Sequence, residues 1–81
     1  MISSSQIKAA RALLGISATE LAEKCDVGPA TLKRYELQEG IPKANAKVLY
    51  KIQTYMEGCG IEFIGDPLKS PGVILHKYAE K

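Results

Sequence analysis

Ser17-Ala18-Thr19-Glu20-Leu21-Ala22-Glu23-Lys24-Cys25-Asp26-Val27-Gly28-Pro29-Ala30-Thr31-Leu32-Lys33-Arg34-Tyr35-Glu36 is the stretch that decides how this chain folds. It contains two helix starts in close succession. Ser17 has Glu20 three residues on, the pairing in which a hydroxyl and a carboxylate each take one orphan N–H of a first helical turn. Gly28 caps the second start. Pro29 then takes the first helical position, where its missing N–H is no loss. An apolar residue precedes each cap and another follows in the first turn, Ile16 with Leu21 and Val27 with Leu32, so both starts carry a hydrophobic staple. The spacing predicts a helix over residues 18–25 that buries Leu21, Ala22 and Cys25, and a second over 29–38 with Leu32, Tyr35 and Glu36 inward. Only Asp26 and Val27 separate the first helix from the cap of the second. Aspartate tolerates the left-handed backbone that so tight a turn requires.

The same device stands upstream. Ser3 with Gln6 forms a capping box and Ile2 with Ile7 a staple, which predicts a helix over residues 4–14 stopped by Gly15. Ile7, Ala10 and Leu14 fall on one face of it. Downstream, Gly40 and Pro42 end the third helix. Val48, Leu49, Ile52, Tyr55, Met56 and Cys59 then recur at helical spacing and predict a fourth helix from residue 44 or 45 to 58, its stripe a core face rather than a cofactor box. After Gly58-Cys59-Gly60 the pattern changes. Residues 61–64 and 73–77 are short β-type runs, separated by a turn-rich segment with Asp66-Pro67 and Pro71-Gly72. The expected fold is mainly α, with four or five helices over residues 1–60 and a C-terminal two-stranded β-hairpin and tail over 61–81.

Composition narrows the class. Of the 81 residues 46% are apolar, as a folded globular chain requires. The net charge of +2 is unevenly spread. Residues 1–51 hold eight Lys or Arg against five Asp or Glu, a net of +3, and residues 52–81 hold three against four, a net of −1. Such asymmetry is frequent in nucleic-acid binders, although a solvated mixed surface also shows it. No run is long and apolar enough to span a bilayer, and the polar start from Met1 to Gln6 is followed by no signal-type segment, so a cytoplasmic protein is expected. Cys25 and Cys59 form no Cys-x-x-Cys pair. With His76 they are too few for a closed zinc site, so both read as buried thiols and neither metal nor cofactor is expected. His76, the single histidine, falls on the second β-run as a surface or hairpin-packing residue. There is no nucleophile–base pair and no phosphate-cradling glycine loop, so no enzyme is expected.

Two short helices joined by a tight turn, the second with an exposed basic face, form a helix-turn-helix. The second of them enters the DNA major groove, its early residues meeting base edges. Here the positions left over from packing are Pro29, Ala30, Lys33 and Arg34. Arg34 can make a bidentate contact to guanine, whereas Pro29 and Ala30 offer only apolar contact, for example to a thymine methyl.

The stretch 17–36, with Arg11 before it and Gly40-Ile41-Pro42 after it, resembles the XRE family of helix-turn-helix domains, Cro-like and phage-repressor-like, over residues 6–59. The resemblance implies a repressor-like DNA-binding domain and a small transcriptional regulator. It places base contacts on Pro29, Ala30, Lys33 and Arg34. It places phosphate contacts on Ser17 and Ala18 at the start of the second helix and on Lys43 and Asn45 after the third. It also implies a structural ion pair between Arg11 and Glu36. The chain departs from the family where Ala18 replaces a frequent glutamine, Asp26 a frequent glycine, and Pro29 and Ala30 the polar readers often found there. Double-stranded DNA is the expected partner, with no membrane, and a homodimer is expected to span two half-sites. The alternative is a protein-interaction module, such as an antitoxin or complex subunit, with DNA binding weak or secondary. The apolar hairpin residues must cover the fourth helix, pair with a second chain, or both.

Overall fold

The structure, a computed structural model, describes residues 1–77; the last four residues of the expected tail, 78–81, lie outside it. Four helices, α1 (Ser4–Leu14), α2 (Ala18–Lys24), α3 (Pro29–Leu37) and α4 (Ala46–Gly58), are followed by strands β1 (Ile61–Ile64) and β2 (Gly72–Leu75). The fold is mainly helical and repressor-like, closed by a two-stranded antiparallel sheet.

Each helix start follows from its cap. Ser3 and Ser17 accept from the N–H of Gln6 and Glu20, whose side chains accept in turn from the cap N–H, so both capping boxes are complete. α3 begins on Gly28 with Pro29 behind it and no side-chain cap. Asn45 caps α4, its Oδ1 accepting from the Lys47 N–H at 2.8 Å. The turn from α2 to α3 runs through Asp26 at φ 58°, the single positive-φ residue other than glycine among those described.

Ile7 and Ala10 of α1, Leu21 and Ala22 of α2, Leu32 of α3, and Ile52 and Met56 of α4 are all fully buried. Ile2 and Cys25 close the core at its margins. The hairpin pairs Ile61 with Leu75 and Ile64 with Gly72. Its alternation sends Ile61, Phe63, Val73 and Leu75 inward against this core. β2 lies against α1 and β1 against α4, so the apolar ribbon covers its own chain. Gln6 fastens it: having capped α1 through Oε1, its amide nitrogen donates to the carbonyls of Ile64 at 3.2 Å and Gly72 at 3.1 Å. The hairpin also needs Gly60, at φ 102°, where a Cβ would stand 2.7 Å from the His76 carbonyl oxygen.

Three expectations are corrected. The second strand is Gly72–Leu75 rather than 73–77, because the register ends at Ile61 opposite Leu75. His76 therefore lies past the strand. Its ring nitrogen meets Glu62 at 2.7 Å on the outer face. Cys59 is half-buried, unlike Cys25, because it is the C-cap of α4 and lies beyond the last core-facing turn. Finally, α2 and α3 each stop one residue early, at Lys24 and Leu37, since Cys25 and Gln38 leave helical dihedrals.

Candidate nucleic-acid interface

The α2–turn–α3 unit sets out the candidate surface. Packing of Leu21 and Ala22 against Leu32 and Tyr35 fixes the two helices, and the opposite side of α3 faces solvent. Pro29, Ala30, Lys33 and Arg34 are all exposed there. The Arg34 guanidinium lies 5.9 Å from the centre of the Tyr35 ring, within cation–π range, so it is loosely parked beside the helix rather than locked in an ion pair.

Behind α3 sits a rigid clamp. Arg11 Nε donates to Glu36 Oε2 and Arg11 Nη2 to Glu36 Oε1, each at 2.9 Å, a bidentate pair tying α1 to α3. Arg11 Nη1 also donates to the Ile16 carbonyl at 3.2 Å, which draws the loop before α2 into the same knot. The Glu36 side chain is 8% exposed and that of Arg11 25%. The hydrogen bond to Glu36, helped by its charge and opposed by burial, pushes the Arg11 pKa above its ordinary value. Ser4 adds a second tie, its hydroxyl donating to the Tyr35 carbonyl at 2.6 Å. Glu36 and Tyr35 thus anchor the inner side of the helix that bears Lys33 and Arg34 on its outer side.

The other candidates flank this helix in sequence. Ser17, at the start of α2, is exposed, and Ala18 is half-buried. The Ser17 N–H is already taken by Glu20 Oε1 at 3.2 Å, and its Oγ accepts from the Glu20 N–H at 3.0 Å. What Ser17 can still offer an anion is its hydroxyl hydrogen. Lys43 and Asn45 lie exposed between α3 and α4. The Lys43 N–H donates to Gln38 Oε1 at 2.8 Å, which fixes the loop and leaves the ammonium in water. Asn45 has spent its Oδ1 on the α4 cap, so its NH2 is the group that can reach outward.

One residue on the outer side of α3 escaped the reading of the sequence. Leu37, the last residue of the helix, is 84% exposed and continues the line of Ala30, Lys33 and Arg34 by one turn. The signal was the helical period itself, carried on to a third turn.

Among the described residues no group of three or more His, Cys, Asp or Glu could hold a metal ion. No helix among them is long and apolar enough to cross a membrane.

A model of the family described as Helix-turn-helix, of XRE type, matches residues 7–63, from the first core residue of α1 to the third residue of β1. It is a family of DNA-binding regulators. No curated protein and no solved structure matches the chain.

Proposed function

We propose, since the chain belongs to the XRE-type helix-turn-helix family, that it binds double-stranded DNA sequence-specifically as a small transcriptional regulator, with α3 in the major groove. The observation that carries this reading is the outer face of α3. Pro29, Ala30, Lys33 and Arg34 stand exposed on a helix whose inner face is clamped by Arg11–Glu36. Lys33 and Arg34 supply the hydrogen-bond donors to base edges, and Pro29 and Ala30 supply shape. Ser17, Ala18, Lys43 and Asn45 hold phosphates and set the register of the helix in the groove. The segment 1–60 acts as the DNA-binding domain. Within the segment 61–81, the hairpin completes it and supplies its outer face to a second copy.

The test begins with a site selected from randomised duplex DNA and followed by fluorescence anisotropy at several salt concentrations. Arg34→Ala is expected to weaken specific binding by about 1–3 kcal/mol. Lys43→Ala weakens specific and non-specific binding alike and lowers the salt slope by about one. Unchanged affinity in both variants would remove the assignment of this surface.

A second reading rests on a separate observation. Ile64 and Ile74 remain exposed on the outer face of the hairpin, and Pro29 and Ala30 bring no polar group to α3. A module that binds a protein partner, with DNA secondary, would use that outer face. Tight co-purification with another protein, without salt-sensitive DNA affinity, would favour it.

A further inference from the structure

We propose that Leu37 is a specificity-determining residue of this DNA-binding surface, reading the methyl group of a thymine at the edge of the half-site. The inference rests on the placement of α3 in the major groove. It goes beyond it by naming a fifth contact and the chemical group it recognises.

At 3.6 residues per turn, Ala30, Lys33, Arg34 and Leu37 fall within an arc of about 100°, with Leu37 near its middle. Their i, i+3, i+4, i+7 spacing is that of a helix lying along a groove with one continuous stripe towards the bases. Isolated exposed leucines are ordinary on protein surfaces. Leu37 is distinguished by position: at 84% it is the most exposed of the large apolar residues among those described, and it stands on the stripe that bears the two cationic readers.

The make-up of the first turn of α3 supports the contact. Pro29 and Ala30 have no side-chain donor or acceptor, so hydrogen bonding to bases falls to Lys33 and Arg34 in the second turn. For those two to reach base edges, the second turn of the helix must lie in the groove along with the first. Leu37 then follows the groove one turn further on. From Ala30 to Leu37 the helix rises about 10 Å, which spans about three base-pair steps of 3.4 Å each. Among the groups that bases display in the major groove, the apolar one is the C5-methyl of thymine. A leucine held there gains from a methyl and gains nothing from a polar edge.

Uracil lacks that methyl and keeps the rest of the base-pairing edge, so it is the probe. In the selected site each thymine is replaced singly by uracil, and the full-length wild type, Leu37→Ala and Arg34→Ala are titrated against every duplex. One thymine per half-site is expected to matter. Its replacement weakens wild-type binding about fourfold, the equivalent of about 0.8 kcal/mol for one buried methyl. Leu37→Ala binds the thymine duplex correspondingly less well and no longer distinguishes it from the uracil duplex. Arg34→Ala binds both more weakly and keeps the ratio between them. Because Leu37 is exposed, circular dichroism and thermal melting of Leu37→Ala should match wild type. The inference is overturned if Leu37→Ala keeps the thymine-to-uracil ratio, or if no uracil replacement weakens the wild type while Arg34→Ala still does. The second result would leave the placement of α3 intact. A Leu37→Ala protein with unaltered DNA preference but a changed sedimenting mass also overturns it, since protein would then be what covers Leu37. Failure to select any site overturns the placement of α3 and this inference with it.

Discussion

Replacing Arg11 by alanine would leave a carboxylate stranded between α1 and α3. The Glu36 side chain is 8% exposed and would lose both of its 2.9 Å hydrogen bonds to the guanidinium. The Ile16 carbonyl would lose a third, at 3.2 Å. Breaking a buried ion pair from one side costs about 3–5 kcal/mol, because the surviving charge is poorly hydrated. Arg11 is itself 25% exposed, so water screens part of the interaction and the low end, about 3 kcal/mol, is expected. Glu36→Ala should cost less, about 2 kcal/mol, since a guanidinium exposed to that degree recovers some hydration. A chain of this length is stabilised by about 4–12 kcal/mol in all, so the loss is a large share. Arg11→Ala should melt about 12–24 °C lower. The assay is thermal and urea unfolding, by circular dichroism, of wild type, both single variants and the double variant. A coupling of about 1–2 kcal/mol is expected. Single-variant losses that add to within about 0.5 kcal/mol would refute the account, because neither residue would then depend on the other. The pH dependence has a definite sign. The folded-state pKa of Arg11 is raised, chiefly by its hydrogen bond to Glu36, so its contribution is fully present below the ordinary arginine range and is lost only as pH climbs through the raised value. Stability from this residue should therefore be flat from neutral into moderately alkaline solution.

Three further expectations follow from burial and backbone. Cys25 is 4% exposed and its burial, opposed by the charge of Lys51, pushes its thiol pKa up, so a thiol reagent near neutral pH should label Cys59 in the folded protein and reach Cys25 only on unfolding; equal labelling rates would contradict the packing described. Gly60→Ala forces a Cβ to within 2.7 Å of the His76 carbonyl at φ 102° and should cost about 1–3 kcal/mol, whereas Gly58→Ala, in α4 with nothing within 4 Å, should be neutral or stabilising by up to about 1 kcal/mol; thermal melts with the reverse order would refute this. Ile74→Lys on the outer hairpin face should leave the melt unchanged within about 0.5 kcal/mol while halving the sedimenting mass if copies meet there, and a wild type monomeric both free and on a palindromic site would dispose of the dimer.

The starts of the first three helices are legible because their causes are local, whereas α4, expected from residue 44 or 45, begins at Ala46 with Asn45 as its cap. A serine with a carboxylate or carboxamide three residues on, and an apolar residue on each side, specifies a cap within one turn, and Ser3, Ser17 and Gly28 each begin a helix. Ends were less legible. Whether Cys25 and Gln38 continue a helix depends on dihedrals that the following turn imposes, and both leave it. The hairpin was visible as a change of period, but its register was not. Gly72 enters β2 because it faces Ile64, a pairing between residues eight apart that composition does not encode. The reach of Gln6 was invisible for the same reason: its capping role is read within three residues, its bonds to Ile64 and Gly72 only in three dimensions. On α3 the exposed positions of the first two turns were found by eliminating core positions. The exposure of Leu37 is not legible in sequence, because an apolar residue at a helix end can equally pack inward, and its 84% exposure shows only in the fold.

The charge of the chain takes on a different meaning once the ion pair is in place. Arg11 is the basic residue of α1 nearest in sequence to α2, yet its guanidinium is consumed by Glu36 and the Ile16 carbonyl. The charge of the first 51 residues left outside that pair comes from lysines and Arg34 alone, seven basic residues against four acids, still a net of +3. Ser17 and Asn45 have each committed an acceptor oxygen to a helix cap, which leaves the Ser17 hydroxyl hydrogen and the Asn45 NH2 as the donors each can offer a phosphate. A DNA-binding surface with two apolar positions in the first turn of its reading helix would draw more of its affinity from phosphate neutralisation than from base edges. Such affinity is steeply salt-dependent and discriminates weakly between sequences. On the proposed reading, specificity would come from fixing several modest contacts at once, as two copies on half-sites about 34 Å apart would do. The Arg11–Glu36 clamp would serve that end: it ties α3 to α1 in one orientation, so that small contacts from each proposed half-site would add rather than average out.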